Sequence, residues 1–423
     1  MKLGGRAQAA IEVLTDWERS KRPVSICLAD WGRSHRFAGG GDRAAIGNIV
    51  YDVLRERSST AHMAGADTWS SLVNGVLMRR WGETAASLAA LYQDDRHAPP
   101  APDADLRTLD EAAPHVRADV PEWIAPLLEA NFAEEWVAEA QALAQRPPLD
   151  IRANTLKAKR EKVLDALSAK AASPTTIALD GVRIPNGDGA RRLPNVTADQ
   201  AYQKGWFEVQ DEGSQIASEL VFAQPGEQVL DFCAGAGGKT LALAAAMQNR
   251  GQLHAHDTDR HRLKPIHDRL RRAGTRNVQV HEPGADMSGL VGRMDRVLVD
   301  APCTGSGTWR RRPDAKWRLT KEQLETRINE QDEVLSQAAP FVRVGGYLAY
   351  VTCSVLPEEN EARIATFLED QSGWELLSAG EVWQDLYGFD KPQPWSSDMK
   401  SITLTPASTD TDGFFFAVLR RGG

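Results

Sequence analysis

A chain of 423 residues with 42% hydrophobic and 26% charged content is too long for one ordinary core and reads as two or three globular domains. Its net charge of −8 argues against a wholly basic nucleic-acid binder, and no apolar run approaches the length needed to cross a bilayer. Cys27, Cys233, Cys303 and Cys353 are widely spaced without a C-x-x-C pair, which excludes a disulfide scaffold or zinc site, and with no secretion signal at the N-terminus a reducing cytoplasm is expected.

In chain order, residues 1 to about 96 carry apolar residues at helical spacing, with Gly39, Gly40 and Gly41 marking a flexible break. His97 to Pro121 is rich in Pro, Ala and Asp and reads as a linker, followed by a helix pair punctuated by Pro121 and Pro147. The pattern then changes: LDIRANTLK is strand-like, KREKVLDALSAK is helical, and TIALDGVRIP is a strand with an Asp-Gly turn. The expected division is a helical domain over 1–118, a helical linker with a small α+β unit over 119–204, and an α/β domain over 205–423. In that last region strands and helices alternate, with a closing hairpin from SITLTP and DGFFFAVLRR, which predicts a doubly wound, mostly parallel sheet.

The loop DFCAGAGGKT places Gly235, Gly237 and Gly238 between a strand and a helix, where the backbone approaches a ligand closely. A phosphate loop needs Gly where Cys233 stands, so that reading is weak. Asp257 follows the next strand, where an acid commonly holds ribose hydroxyls, and Asp286 and Asp300 follow the third and fourth strands. Carboxylates without a phosphate cradle suit a cationic nucleoside, and S-adenosylmethionine fits. Asp259 and Asp295 read instead as caps or turn formers. Cys303, in VLVDAPCTGSGTWRRRPDAKW, and Cys353, in GGYLAYVTCSVLPEEN, both end apolar runs that read as buried parallel strands, on the rim where such sheets bind ligands. Methyl transfer to nitrogen or oxygen needs no protein nucleophile. Transfer to cytosine C5 does, because a thiolate adding at C6 makes C5 nucleophilic. The residues alone leave open which thiol attacks. Arg250 to Arg318 holds thirteen Arg and two Lys against seven Asp and one Glu; within it Arg310, Arg311, Arg312 and Lys316, with Trp309, are expected to contact RNA through phosphate pairing and stacking.

RANTLK, FEVQDEGSQIAS, DFCAGAGGKT, DRVLVDAPCTGSGTWRRRPDAKW, YVTCSVLPEEN and DGFFFAVLRR, in this order over about 120–423, resemble the RNA cytosine-5 methyltransferases of the RsmB/Fmu/Sun type. The resemblance implies a seven-stranded methyltransferase sheet, S-adenosylmethionine as cofactor, Cys353 as nucleophile and Cys303 assisting product release. It assigns Cys233, Ala234, Gly235, Ala236, Gly237, Gly238, Lys239, Asp257, Arg262, Asp286 and Asp300 to the cofactor, with Asp300 also at the target base and hence catalytic. The middle unit resembles the family's RNA-binding lead-in, and the first hundred residues faintly resemble its NusB-like helical domain. The implied protein is a cytoplasmic, monomeric enzyme making 5-methylcytosine, with ribosomal RNA as substrate, no metal and no membrane. The rival readings are transfer RNA as substrate and an RNA-binding ribosome assembly factor without turnover. This chain departs from the family at Gly235-Ala236, where Ala-Pro is usual, and in the untidy HEPGAD segment before Asp286.

Overall fold

The computed structural model describes residues 1–187, 189–190 and 193–423, and the chain divides into two compact units. The first comprises Met1–Pro147, Asn186–Leu193 and Thr308–Leu319; the second comprises Pro148–Pro185, Pro194–Gly307 and Thr320–Gly423.

The first unit is helical. Leu3–Ser20 turns Ala7, Ala10, Val13 and Leu14 inward at three- and four-residue spacing, against Ile46, Ile49, Val50 and Val53 of Gly40–Arg55 and Leu72, Val73 and Val76 of Trp69–Arg80. The glycines at 39–41 do not break the chain: Gly39 is the residue before helix Gly40–Arg55, and its N–H donates to the Asp42 carboxylate at 3.3 Å. The helix pair Ala125–Phe132 and Trp136–Leu143 also belongs here rather than with the sheet that follows it. Asp119 accepts from the Ser59 N–H at 2.9 Å and Gln141 donates to the Arg117 carbonyl at 3.0 Å, so residues 114–143 are tied to the helices before them.

Thr308–Leu319 completes this unit. Lys316 Nζ donates to the Arg55 carbonyl at 2.8 Å and Trp317 Nε1 to the Leu54 carbonyl at 2.6 Å. These carbonyls end helix Gly40–Arg55 and have no partner within it, so a buried ammonium there is a favourable cap. Arg55 in turn donates through Nη2 to the Arg310 carbonyl at 2.8 Å.

In the second unit, β1 (Leu149–Ala153), β2 (Ser173–Pro174), β3 (Gly181–Ile184) and β4 (Phe207–Val209) form an antiparallel sheet in the order β2-β3-β1-β4. Most of TIALDGVRIP is not strand, because the N–H groups of Ile177 and Ala178 donate to the buried Glu212 carboxylate at 2.8 and 3.1 Å instead of to a neighbouring strand.

The large sheet runs through β5 (Gln228–Asp231), β6 (Gln252–His256), β7 (Val278–His281), β8 (Met294–Asp300), β9 (Val342–Thr352), β10 (Trp374–Leu376), β11 (Ser401–Leu404) and β12 (Phe414–Arg421). Seven strands lie in the order β10-β12-β9-β8-β5-β6-β7, and β11 is an eighth, paired to β12. β5 to β9 pair in parallel, while β12 is antiparallel to β9, β10 and β11. Alternation fills both faces: Leu230, Val297, Val299, Leu348 and Tyr350 enter one core, and Val229, Leu298, Ala349 and Val351 the other. That double burial is why these strands read as continuous apolar runs. The order reverses between β5 and β8, which opens a crevice beyond their carboxyl ends.

Candidate active site

The loop after β5 is built by backbone geometry. Gly235 and Gly237 take φ of +50° and +82°, the left-handed region that glycine enters without a Cβ penalty. The Ala234 N–H donates to the His256 carbonyl at 2.8 Å and the Gly235 N–H to Asp257 Oδ2 at 2.8 Å, so Cys233–Lys239 is fastened to the end of β6. Asp257 also accepts from the Asp259 N–H at 2.8 Å, and Arg262 approaches it at 3.8 Å with a half-exposed side chain. A Cβ built on Gly238 would meet nothing within 4 Å, so the helix that starts there presents open space.

Lys239 Nζ reaches back to Asp300 Oδ2 at 2.7 Å. Burial works against its charge, but Asp300 outweighs burial, and the ammonium sits above its usual pKa. Asp231 is buried, with Oδ2 accepting from Thr240 Oγ1 at 2.6 Å and Oδ1 free of any hydrogen bond among the described residues. Burial, and then the neighbouring Asp300 and Asp257 charges, push its carboxyl up to about 7. Burial and the same three carboxylates push the Cys233 thiol well above its ordinary value. Asp231, Asp257 and Asp300 thus gather three carboxyl groups at the crevice, with Lys239 and Arg262 offsetting part of their charge. Asp286 does not join them: it is exposed, and its Oδ1 accepts from the Ser288 N–H at 2.9 Å as a turn former.

Cys303 and Cys353 meet. Asp300 ends β8 and Thr352 ends β9, adjacent parallel strands, and the two Sγ atoms lie 3.3 Å apart. The Lys239 charge is within electrostatic reach of Cys353. The hydrogen bond with Cys353, followed by burial and the Glu359 charge, pushes the Cys303 thiol well above its ordinary pKa. Two groups at this rim were not picked out from the sequence. Glu359 and Gln331, each 0% exposed, lie behind the thiol loops, where Gln331 Nε2 donates to Glu359 Oε1 at 3.0 Å. A carboxylate in the first turn after Pro357 looks like an ordinary helix-start preference, and nothing in a linear pattern separates it from its neighbour Glu358.

Burial takes three of the residues expected to touch RNA out of reach. Trp309, Arg310 and Lys316 are each 2% exposed, because they are packed into the helical unit described above. Arg311 is half-buried and Arg312 is exposed. Cys27 is buried among the helices, as a small apolar side chain would be.

Comparisons with known proteins agree with this arrangement. Residues 219–420 match the family described as 16S rRNA methyltransferase RsmB/F, and residues 120–187 match its ferredoxin-like domain. The "Probable ribosomal RNA small subunit methyltransferase B" of Synechocystis sp. is 33% identical over 312 residues, which cover 71% of this chain and 66% of that protein. The crystal structure of the protein PH0851 has the same fold over its whole length, at a TM-score of 0.75 with 24% identity and 100% of both chains covered. A methyltransferase homolog protein from Pyrococcus horikoshii superposes at a TM-score of 0.60 with 28% identity over 73% of this chain and 97% of its own.

Proposed function

This chain belongs to the RsmB/F family of 16S rRNA methyltransferases, and on that premise we propose that it methylates C5 of cytosine in small-subunit ribosomal RNA, in the cytoplasm, through a transient bond from Cys353. The observation that carries this reading is the 3.3 Å approach of two thiols at the ends of adjacent strands, beside a carboxylate-lined crevice.

The crevice fits S-adenosylmethionine. Asp231, Asp257 and Asp300 complement a sulfonium and an ammonium, the unpaired Asp231 Oδ1 is a vacant acceptor, and Gly238, with nothing within 4 Å of a Cβ built on it, leaves the backbone bare for a nucleoside. Bound there, the cofactor would supply an electrophilic methyl group, its sulfonium keeping the S–CH₃ electron pair and leaving as a neutral thioether. Cys233 through Lys239, Asp257 and Arg262 are the residues proposed to hold it; Asp286 is the weakest member of the expected set. The Cys353 thiolate adds to C6 of the ring, the C5–C6 electron pair moves to C5, and C5 takes the methyl group. Loss of the C5 proton to water then re-forms the double bond and expels Cys353 as a thiolate. Cys303, held as a neutral thiol, donates a hydrogen bond to the departing sulfur. Asp300, paired with Lys239, faces the base.

RNA contact is proposed for Arg311 and Arg312 and for the small sheet's rim, where Lys162 and Lys204 lie 3.9 and 5.3 Å from the Trp206 ring. The deciding experiment is trapping on ribosomal RNA. Cys303→Ala is expected to accumulate a covalent RNA adduct and Cys353→Ala to form none and make no 5-methylcytosine. Modification found only in transfer RNA transfers the assignment to that substrate; the reverse trapping pattern exchanges the two thiols. A native protein with no methyl transfer to RNA leaves an assembly factor.

A further inference from the structure

We propose that Glu359 is the positioning residue that pins the loop carrying Cys303 to the loop carrying Cys353 and so sets the spacing of the two thiols; this rests on the reading of the site given above. Its carboxylate is fully buried, and every contact on it is a donor. Oε1 accepts from the Thr304 N–H at 2.7 Å and from Gln331 Nε2 at 3.0 Å. Oε2 accepts from the hydroxyls of Thr304 and Ser354. Gln331 also donates to the Pro302 carbonyl at 2.9 Å. Both neighbours of Cys303, Pro302 and Thr304, and the residue after Cys353 are therefore held to one group, directly or through Gln331. Among the described residues no Lys or Arg forms an ion pair with it, so the neutral donors alone offset its desolvation. An isosteric amide is a poorer partner: an NH₂ at the Oε1 position would face two N–H donors, and at the Oε2 position both hydroxyls would have to turn and accept from it.

The remaining links between the loops do not involve Glu359. Ser306 and Ser354 hydroxyls meet at 2.9 Å and the Gly307 N–H donates to the Cys353 carbonyl at 3.0 Å. These are expected to keep a Glu359→Gln chain folded while the thiols lose their register.

The test reads thiol spacing without RNA. Phenylarsine oxide bridges two thiols held close together, and protection of Cys303 and Cys353 from iodoacetamide, read by mass spectrometry, reports the bridge. Glu359→Gln is expected to weaken bridging by about tenfold or more, and to accumulate covalent RNA adduct with multiple turnover slowed by at least a similar factor. Thr304→Val, which removes one donor and leaves the carboxylate, is expected to shift bridging in the same direction by less, and it carries the test if Glu359→Gln shows no cooperative unfolding. Bridging as tight as in the native chain for the folded variants overturns the proposal. A native chain that makes no 5-methylcytosine overturns the function proposed above instead, and the bridging comparison still decides the placement of Glu359.

Discussion

At Gly237 the backbone takes φ of +82°, and a Cβ there would lie 2.5 Å from the Ile266 side chain. Both objections apply to alanine at once. Gly237→Ala is expected to cost at least about 1 kcal/mol from the left-handed backbone alone, and to weaken S-adenosylmethionine binding because the helix start that frames the crevice must shift. Calorimetric unfolding and cofactor titration check it; an unchanged melting temperature and affinity would refute it. Gly238→Ala, which meets open space, is the contrast: it should fold normally and affect only binding. At this scale the residues that gather at the crevice were largely legible. Glycines between a strand and a helix and cysteines at the ends of apolar runs have few other reasons to stand where they do, whereas an acid after a strand can also be a turn former, as Asp286 is. Glu359 and Gln331 were not legible, because their role is to accept or donate to backbone that only the fold brings near. Lys316 misled for a related reason. A cation beside tryptophans looks like a phosphate contact, while its ammonium is spent on the last carbonyl of a helix.

Among the elements, β6 and β7 carry a pH dependence. His254 Nδ1 and His281 Nε2 lie 2.9 Å apart and both rings are buried. Burial, then the His281 charge, lowers His254 from 6.5 to about 4. The folded state thus holds His254 neutral where the unfolded chain protonates it. Its contribution to stability is present above pH 6.5 and is lost as pH falls toward 4. The urea midpoint of the native chain should fall across that window, and the fall should be smaller in His254→Gln; parallel curves would show that the histidine pair contributes nothing. The parallel strands were readable from their apolar runs, and the closing hairpin from its alternation, with Ile402 opposite Phe416. Two segments were not. The segment at 176–180 has strand-like composition but gives the Ile177 and Ala178 N–H groups to Glu212 and the Leu179 N–H to Glu219, and the helical pattern DRHRLKPIHDRLRRAG after β6 is divided at Pro265 into Arg260–Leu263 and Ile266–Ala273. In each, side chains override a local preference that is otherwise sound.

For the whole molecule, the helical unit is not a simple N-terminal appendage. Its core receives Trp317 and its helix Gly40–Arg55 is capped by Lys316, both drawn from far along the sequence. A chain beginning at Pro148 should therefore expose Trp309 and Trp317 and leave Lys316 and Arg310 without their carbonyl and arginine partners. It is expected to be markedly less soluble and to lose methyl transfer, measured by sedimentation and by the same RNA assay; a soluble, fully active fragment would contradict this. Three stretches of sequence build this unit, a discontinuity with no local mark in the pattern, which is why the expected boundaries at 118 and 204 part the chain elsewhere than its compact units do.

Thr308 follows Cys303 by only five positions, yet it already belongs to the other body of the protein. Any attempt to transplant the helical half from a relative, in the laboratory or by recombination between genes, has to carry a matching insert into the middle of the enzyme half. A crossover between Pro147 and Thr308 would pair one relative's helices with another's Thr308–Leu319 segment, inside the same helical unit. That segment and the helix whose carbonyls it caps are therefore expected to be inherited together.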